Sequence, residues 1–96
     1  ERIELGDRVQ IGSNASVVDT DFHPLTPEGR ARDFNAGAAD PIVIEDKVFI
    51  GMDSLILKGV TIGEGSVVGA GSVVSRDVPP CSVAVGNPAE VVREMD

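Results

Sequence analysis

The chain of 96 residues has one histidine, His23, and it lies in the one long stretch without a repeat. Imidazole titrates near neutrality, so a positioned histidine can take a proton from a hydroxyl and return it within one turnover. A lone loop histidine is by default a solvated surface residue. His23 is set apart by its surroundings: residues 19–41 lack sustained periodicity and carry Pro24, Pro27 and Pro41. An excursion of that length inside a compact domain is functional or disordered, and Phe22 beside the histidine is not needed in a merely solvated loop. Asp19, Asp21 and Glu28 are placed either to orient the imidazole or to face solvent, and both readings stay open. Cys81 is the single cysteine, which excludes a disulfide framework and a cysteine-based zinc site and makes a reducing, cytoplasmic setting the default.

The elements that must position these groups are legible in an aliphatic residue returning every sixth position: Ile44, Ile50, Ile56, Ile62, Val68 and Val74. Two residues before each sits a second small or apolar side chain, giving the pairs Ile42/Ile44, Val48/Ile50, Ser54/Ile56, Val60/Ile62, Ser66/Val68 and Ser72/Val74. That spacing places both members of a pair on one face of an extended strand. Short polar corners separate the pairs, with Gly59, Gly65 and Gly71 also six apart, as expected if each corner needs a positive φ or has no room for a Cβ. An amphipathic helix does not keep choosing every sixth position, and an antiparallel sheet needs longer strands and Asn-Gly hairpin signals that are absent. The period predicts a parallel β-helix of hexapeptide repeats.

The same frame opens the chain: Leu5, Ile11 and Val17 hold the hexad position, with Ile3, Val9 and Ala15 two residues earlier. Residues 19–41 then form an inserted loop. At the other end, Val78-Pro79-Pro80 is expected to end the hexads, because neither proline donates to a neighbouring coil. Asn87, Pro88 and Glu90 match the N-cap, first-turn and capping-box positions of a short helix over 88–95, so 86–96 is expected to cap the coil. The sequence starts without Met and in repeat frame, so one domain is expected, the C-terminal part of a longer protein.

Net charge is −8, from 16 acidic and 8 basic residues, and aromatics are 3%. A nucleic-acid surface wants the opposite balance, with stacking rings. No apolar run approaches the length of a membrane span. One histidine is too few for a three-histidine zinc site, and no metal is expected.

Taken together, Asp21-Phe22-His23-Pro24-Leu25, the hexads through Val60-Thr61-Ile62-Gly63 and Gly69-Ala70-Gly71-Ser72-Val73-Val74, and Gly86-Asn87-Pro88-Ala89 resemble the hexapeptide-repeat acyltransferases. Within them the chain is most similar to the maltose and galactoside O-acetyltransferases and to relatives that acetylate sugars in exopolysaccharide or lipopolysaccharide biosynthesis. The resemblance implies a left-handed parallel β-helix with three hexads per turn, a homotrimer with its active site between subunits, and acetyl-CoA as donor. It also implies that His23 is the catalytic base and that Phe49, where relatives often carry Trp, shapes the acceptor pocket or fills a subunit contact. Met52 lies near the thioester, where several relatives have a smaller residue. Ala70 and Gly71 let the pantetheine arm lie along the coil, Ser75 and Arg76 contact the coenzyme, and Arg93 stands near its phosphates. Glu90 departs from the pattern, replacing a common Lys. Two other readings stay open: the same chemistry on an amine or small non-sugar acceptor, and a non-catalytic trimeric scaffold.

Overall fold

The computed structural model describes residues 3–17 and 41–95. His23 and all but the last residue of the predicted inserted loop lie outside the described residues. Among the described residues there are eleven strands, most of them only two residues long. They are β1 (Ile3–Leu5), β2 (Gln10–Ile11), β3 (Ser16–Val17), β4 (Ile42–Ile44), β5 (Phe49–Ile50), β6 (Leu55–Ile56), β7 (Thr61–Ile62), β8 (Val67–Val68), β9 (Val73–Val74), β10 (Ser82–Gly86) and β11 (Ala89–Glu94). They make three walls. The first stacks β1, β4 and β7; the second stacks β2, β5, β8, β10 and β11; the third stacks β3, β6 and β9. Every pairing is parallel except β10 with β11, which is the arrangement of a three-sided coil.

The register follows the hexads. Val43 pairs with Thr61, Phe49 with Val67 and Leu55 with Val73, each 18 residues on, so three hexads complete one turn. Between the first coil and the second the offset is 39 residues in all three walls, Ile3 to Ile42, Gln10 to Phe49 and Ser16 to Leu55. That is 21 more than one turn, and the coil has the same phase on either side.

All twelve side chains of the six sequence pairs are buried, and the aliphatic ones stack in columns such as Ile44 over Ile62 and Ile50 over Val68. Each buried Ile or Val contributes about 1.5–3 kcal/mol relative to exposure. The inward serines are satisfied: Ser54 Oγ donates to Gly69 C=O (3.0 Å), and Ser66 Oγ donates to Pro79 C=O while accepting from Ser82 N–H (3.0 Å). Ser72 Oγ accepts from Gly86 N–H (3.1 Å). Among the described residues no buried side-chain polar atom lacks a partner. In the first coil, where no described coil lies beyond, Ile3, Leu5 and Ile11 are exposed.

The corners turn at a residue with positive φ every six positions: Lys47, Asp53, Gly59, Gly65 and Gly71, with Arg8, Asn14 and Cys81 in equivalent places. Glycine therefore marks some of these sites, and non-glycine residues carry the same conformation at others.

Two expectations at the C-terminal end are corrected. The hexads do not end at Val78-Pro79-Pro80: Val78 bridges to Ile62, and β10 continues the second wall beside β8 with Ser82 and Ala84 facing inward and buried. The prolines sit at a corner rather than within a strand, so the ladder loses nothing. The helix over 88–95 is instead β11, running antiparallel to β10. Asn87-Pro88, joined by a cis peptide bond, is the two-residue turn that pairs Gly86 with Ala89. Eight residues make a marginal helix, whereas the β-branched Val91 and Val92 fit a strand and the free edge of β10 supplies its hydrogen bonds. The Asn-Pro dipeptide is thus a hairpin signal of a kind other than the Asn-Gly sought in the sequence.

Candidate active site

Of the described positions marked in the sequence, Met52, Ala70, Gly71, Ser75 and Arg76 fall on corners of the coil, while Phe49 and Arg93 lie on strands. The corner between the second and third walls carries Met52 on one coil and Ala70-Gly71 on the next, tied by Gly71 N–H to Met52 C=O at 2.8 Å. Phe49 precedes this corner on β5, outward-facing in a row with Gln10 and Val67. Phe49 is 41% exposed and Met52 54%, so a large apolar pair faces solvent beside a corner of very small residues.

That smallness is a packing requirement as well as an opening. Gly12, Gly51 and Gly69 occupy equivalent positions on three successive coils, next to the corner. A Cβ on Gly51 would lie 2.6 Å from Ala70 N, and one on Gly12 would lie 2.6 Å from Met52 N. The column ends under Val85, whose side chain a Cβ on Gly69 would meet. Phe49 and Val67 precede this glycine column on the second wall, and Met52 and Ala70 follow it on the corner.

Ser75 and Arg76 lie on the next corner, between the third and first walls, separated from Gly71 only by Ser72 and β9; both are exposed. Lys58, not singled out in the sequence, stands on the same corner one coil earlier, 18 residues before Arg76. Its signal was the unbroken hexad frame between the two. This corner therefore carries a cation on each of two successive coils, a charge that suits a phosphate-bearing ligand.

Arg93 is not brought to either corner. It pairs with Val83, close to where Met95 N–H donates to Cys81 C=O (2.6 Å), at the corner between the first and second walls. That corner also carries an acidic cleft lined by Glu4, Glu45, Asp46 and Glu64. Asp46 Oδ1 accepts from Asp7 N–H (2.8 Å) and Glu45 Oε1 from Glu64 N–H (3.2 Å), so carboxylates here bond the backbone of neighbouring coils. The field of such a cleft repels a polyanion. Among the described residues, Lys58 and Arg76 stand on a corner apart from that cleft. Among the described residues no group of three or more His, Cys, Asp or Glu side chains is placed to hold a metal ion, and no helix is long and apolar enough to cross a membrane.

Comparison with known proteins agrees with this architecture. Residues 41–76 match the family model for bacterial transferase hexapeptide (six repeats). A galactoside O-acetyltransferase of Lactococcus lactis is 39% identical over 98% of this chain and 44% of its own length. A hexapeptide-repeat acetyltransferase of Vibrio cholerae, solved with acetyl-CoA, superposes with a TM-score of 0.86 at 42% identity, covering 98% of this chain and 50% of that one. A galactoside acetyltransferase in complex with coenzyme A gives 0.87 at 42% identity, with 98% and 46% covered. The chain spans about half the length of the curated relatives it matches. These likenesses imply the left-handed sense of the coil, and over the stretch it spans the chain is similar to hexapeptide-repeat acetyltransferases.

Proposed function

We propose that the protein carrying this chain is an acetyl-CoA-dependent O-acetyltransferase acting on a hydroxyl of a sugar or cell-envelope glycan, with His23 as general base and its active site between the subunits of a homotrimer. The observation that carries this reading is the third wall, edged by the backbone-floored corner of Met52, Ala70 and Gly71 on one side and by Ser75, Arg76 and Lys58 on the other. A track from the small residues of the first corner across the third wall to the cations of the second would suit a thioester arm that ends in phosphates. The similarity to enzymes solved with acetyl-CoA and coenzyme A supports the same donor here.

The chemistry then needs few parts. His23 takes the proton from the acceptor hydroxyl as its oxygen attacks the thioester carbonyl carbon. The tetrahedral oxyanion is met by the backbone N–H of Met52, in a role where one oriented donor is worth about 3–4 kcal/mol of barrier. Collapse breaks the C–S bond, and the imidazolium returns its proton to the departing thiolate. No acyl-enzyme forms, because both substrates are held together and positioning supplies much of the rate. Phe49, exposed at the edge of the track, serves the acceptor side.

The separation of Arg93 from Arg76 by a whole wall supports a site shared between copies. Two corners that cannot meet in one chain can face one ligand when the second wall of one subunit lies against the third wall of another. In that arrangement the outward apolar row of Phe49, Val67 and Val83 becomes contact surface.

The test is His23→Ala. The expected variant stays trimeric by sedimentation and binds acetyl-CoA as before, but loses at least about a hundredfold in turnover. Unchanged turnover would overturn the assignment.

A further inference from the structure

The last coil is two residues shorter than the others. Partners that are 18 apart on the preceding coil are 16 apart for Ile62 and Val78 and for Val68 and Ala84. The shortening lies between Val74 and Val78, where only Ser75, Arg76 and Asp77 intervene; five residues separate Ile56 from Ile62 on the coil before. A coil cannot lose two residues from a corner without losing ladder partners as well.

The hydrogen bonds show how the loss is made good. On the regular coil, Val43 N–H donates to Val60 C=O (3.0 Å) and Glu45 N–H to Ile62 C=O (3.0 Å). One turn on, Gly63 N–H donates to Val78 C=O (2.8 Å), the equivalent of the second bond. The equivalent of the first would use the carbonyl two residues before Val78, that of Arg76. Thr61 N–H instead donates to Asp77 Oδ1 at 2.8 Å, while Val78 N–H donates back to Thr61 C=O at 2.9 Å. A side-chain carboxylate has taken the place of the Arg76 carbonyl. Ser75 and Arg76 are thereby released from the wall into an exposed three-residue corner fastened at its base.

We propose that Asp77 is a positioning residue for the coenzyme site: its carboxylate closes the shortened coil in place of the Arg76 carbonyl and so fixes the outward corner from which Ser75 and Arg76 meet the donor. The inference rests on the donor-site reading of that corner, and the experiment separates the two.

Acetyl-CoA dissociation constants are measured by calorimetry on the whole protein for wild type, Asp77→Ala, Asp77→Asn, Arg76→Ala and the Asp77→Ala/Arg76→Ala double variant, with kcat and both KM values beside them. Asp77→Ala is expected to weaken acetyl-CoA binding and raise its KM about five- to tenfold, the worth of one ordinary hydrogen bond, with kcat and acceptor KM held within about twofold. Asp77→Asn keeps a carbonyl oxygen as acceptor and should bind within about twofold of wild type. In the Arg76→Ala background, removing Asp77 should add no more than about twofold, since its effect passes through Arg76. If Asp77→Ala fails to fold, Asp77→Glu carries the test, because it keeps the charge and displaces the acceptor by one methylene. Additive losses in the double variant, an Asn variant as weak as Ala, or wild-type affinity in both Ala and Glu would each overturn the inference alone. No acetyl-CoA binding by wild type would overturn the donor-site reading with it.

Discussion

Gly51 and Gly71 differ in what a methyl group would meet, and a pair of alanine substitutions isolates that difference. A Cβ at Gly51 would stand 2.6 Å from Ala70 N, 2.8 Å from Ala70 Cα and 2.9 Å from Gly69 C, where ordinary contact begins at 3.4 Å. Every one of those atoms is backbone, so no rotamer can yield, and the two coils must part by up to about 0.8 Å, the shortfall between 2.6 and 3.4 Å. The bonds nearest the wedge are Gly51 N–H to Val68 C=O (2.8 Å) and Gly71 N–H to Met52 C=O (2.8 Å). Stretching both costs about 1 kcal/mol each, and overpacking adds about 1–3 kcal/mol, for a total of about 3–5 kcal/mol. At Gly71 nothing lies within 4 Å of a Cβ, and the only obstacle is a φ of +71°. That costs about 1–2 kcal/mol, reduced by the lower chain entropy of alanine when unfolded. Urea titration at fixed protein concentration, read as the midpoint shift at constant slope, should therefore place Gly51→Ala at least about 2 kcal/mol below Gly71→Ala. Equal losses, or a larger loss at Gly71, would show that coil stacking is not set by backbone contact at the glycine column.

Two further outcomes follow from the corners and the inward serines. Ser66→Ala removes the acceptor for the buried Ser82 N–H and should cost about 2–3 kcal/mol by the same titration; a loss under about 0.5 kcal/mol would mean that the bond is dispensable. Lys47, a non-glycine residue at φ 62°, should gain about 0.5–1 kcal/mol on replacement by Gly, the excess of the left-handed penalty over the entropy of glycine, and a loss would contradict that balance.

The sequence carried the coil well because burial, strand pairing and corner conformation all share one period. The six pairs from Ile42/Ile44 to Ser72/Val74 are inside, and Gly59, Gly65 and Gly71 have positive φ, because one wrong face anywhere would propagate through the stack. What was not legible broke the period or used signals with two meanings. Val78-Pro79-Pro80 reads as a terminator, yet the coil goes on two residues short, with the Asp77 carboxylate as a substitute acceptor that no spacing rule announces. Asn87, Pro88 and Glu90 suit a helix start and a hairpin turn alike, and the free edge of β10 decides for the strand. On the candidate site, the hexad frame places Met52 beside Ala70 and Gly71, and Arg76 above Lys58. The separation of Arg93 from them depends on the hairpin and was therefore hidden. His23 lies outside the described residues, and its role is carried by proposal alone.

The central claim is a donor site on this coil, and its most direct test is calorimetric titration of acetyl-CoA into the whole protein alongside an Arg76→Ala/Arg93→Ala variant. Saturable binding that weakens at least about tenfold in the variant, consistent with losing two charge-assisted phosphate contacts, is the predicted result. No binding by the correctly assembled protein, or binding indifferent to both arginines, would contradict the account and favour a scaffold whose coils only organise a partner domain.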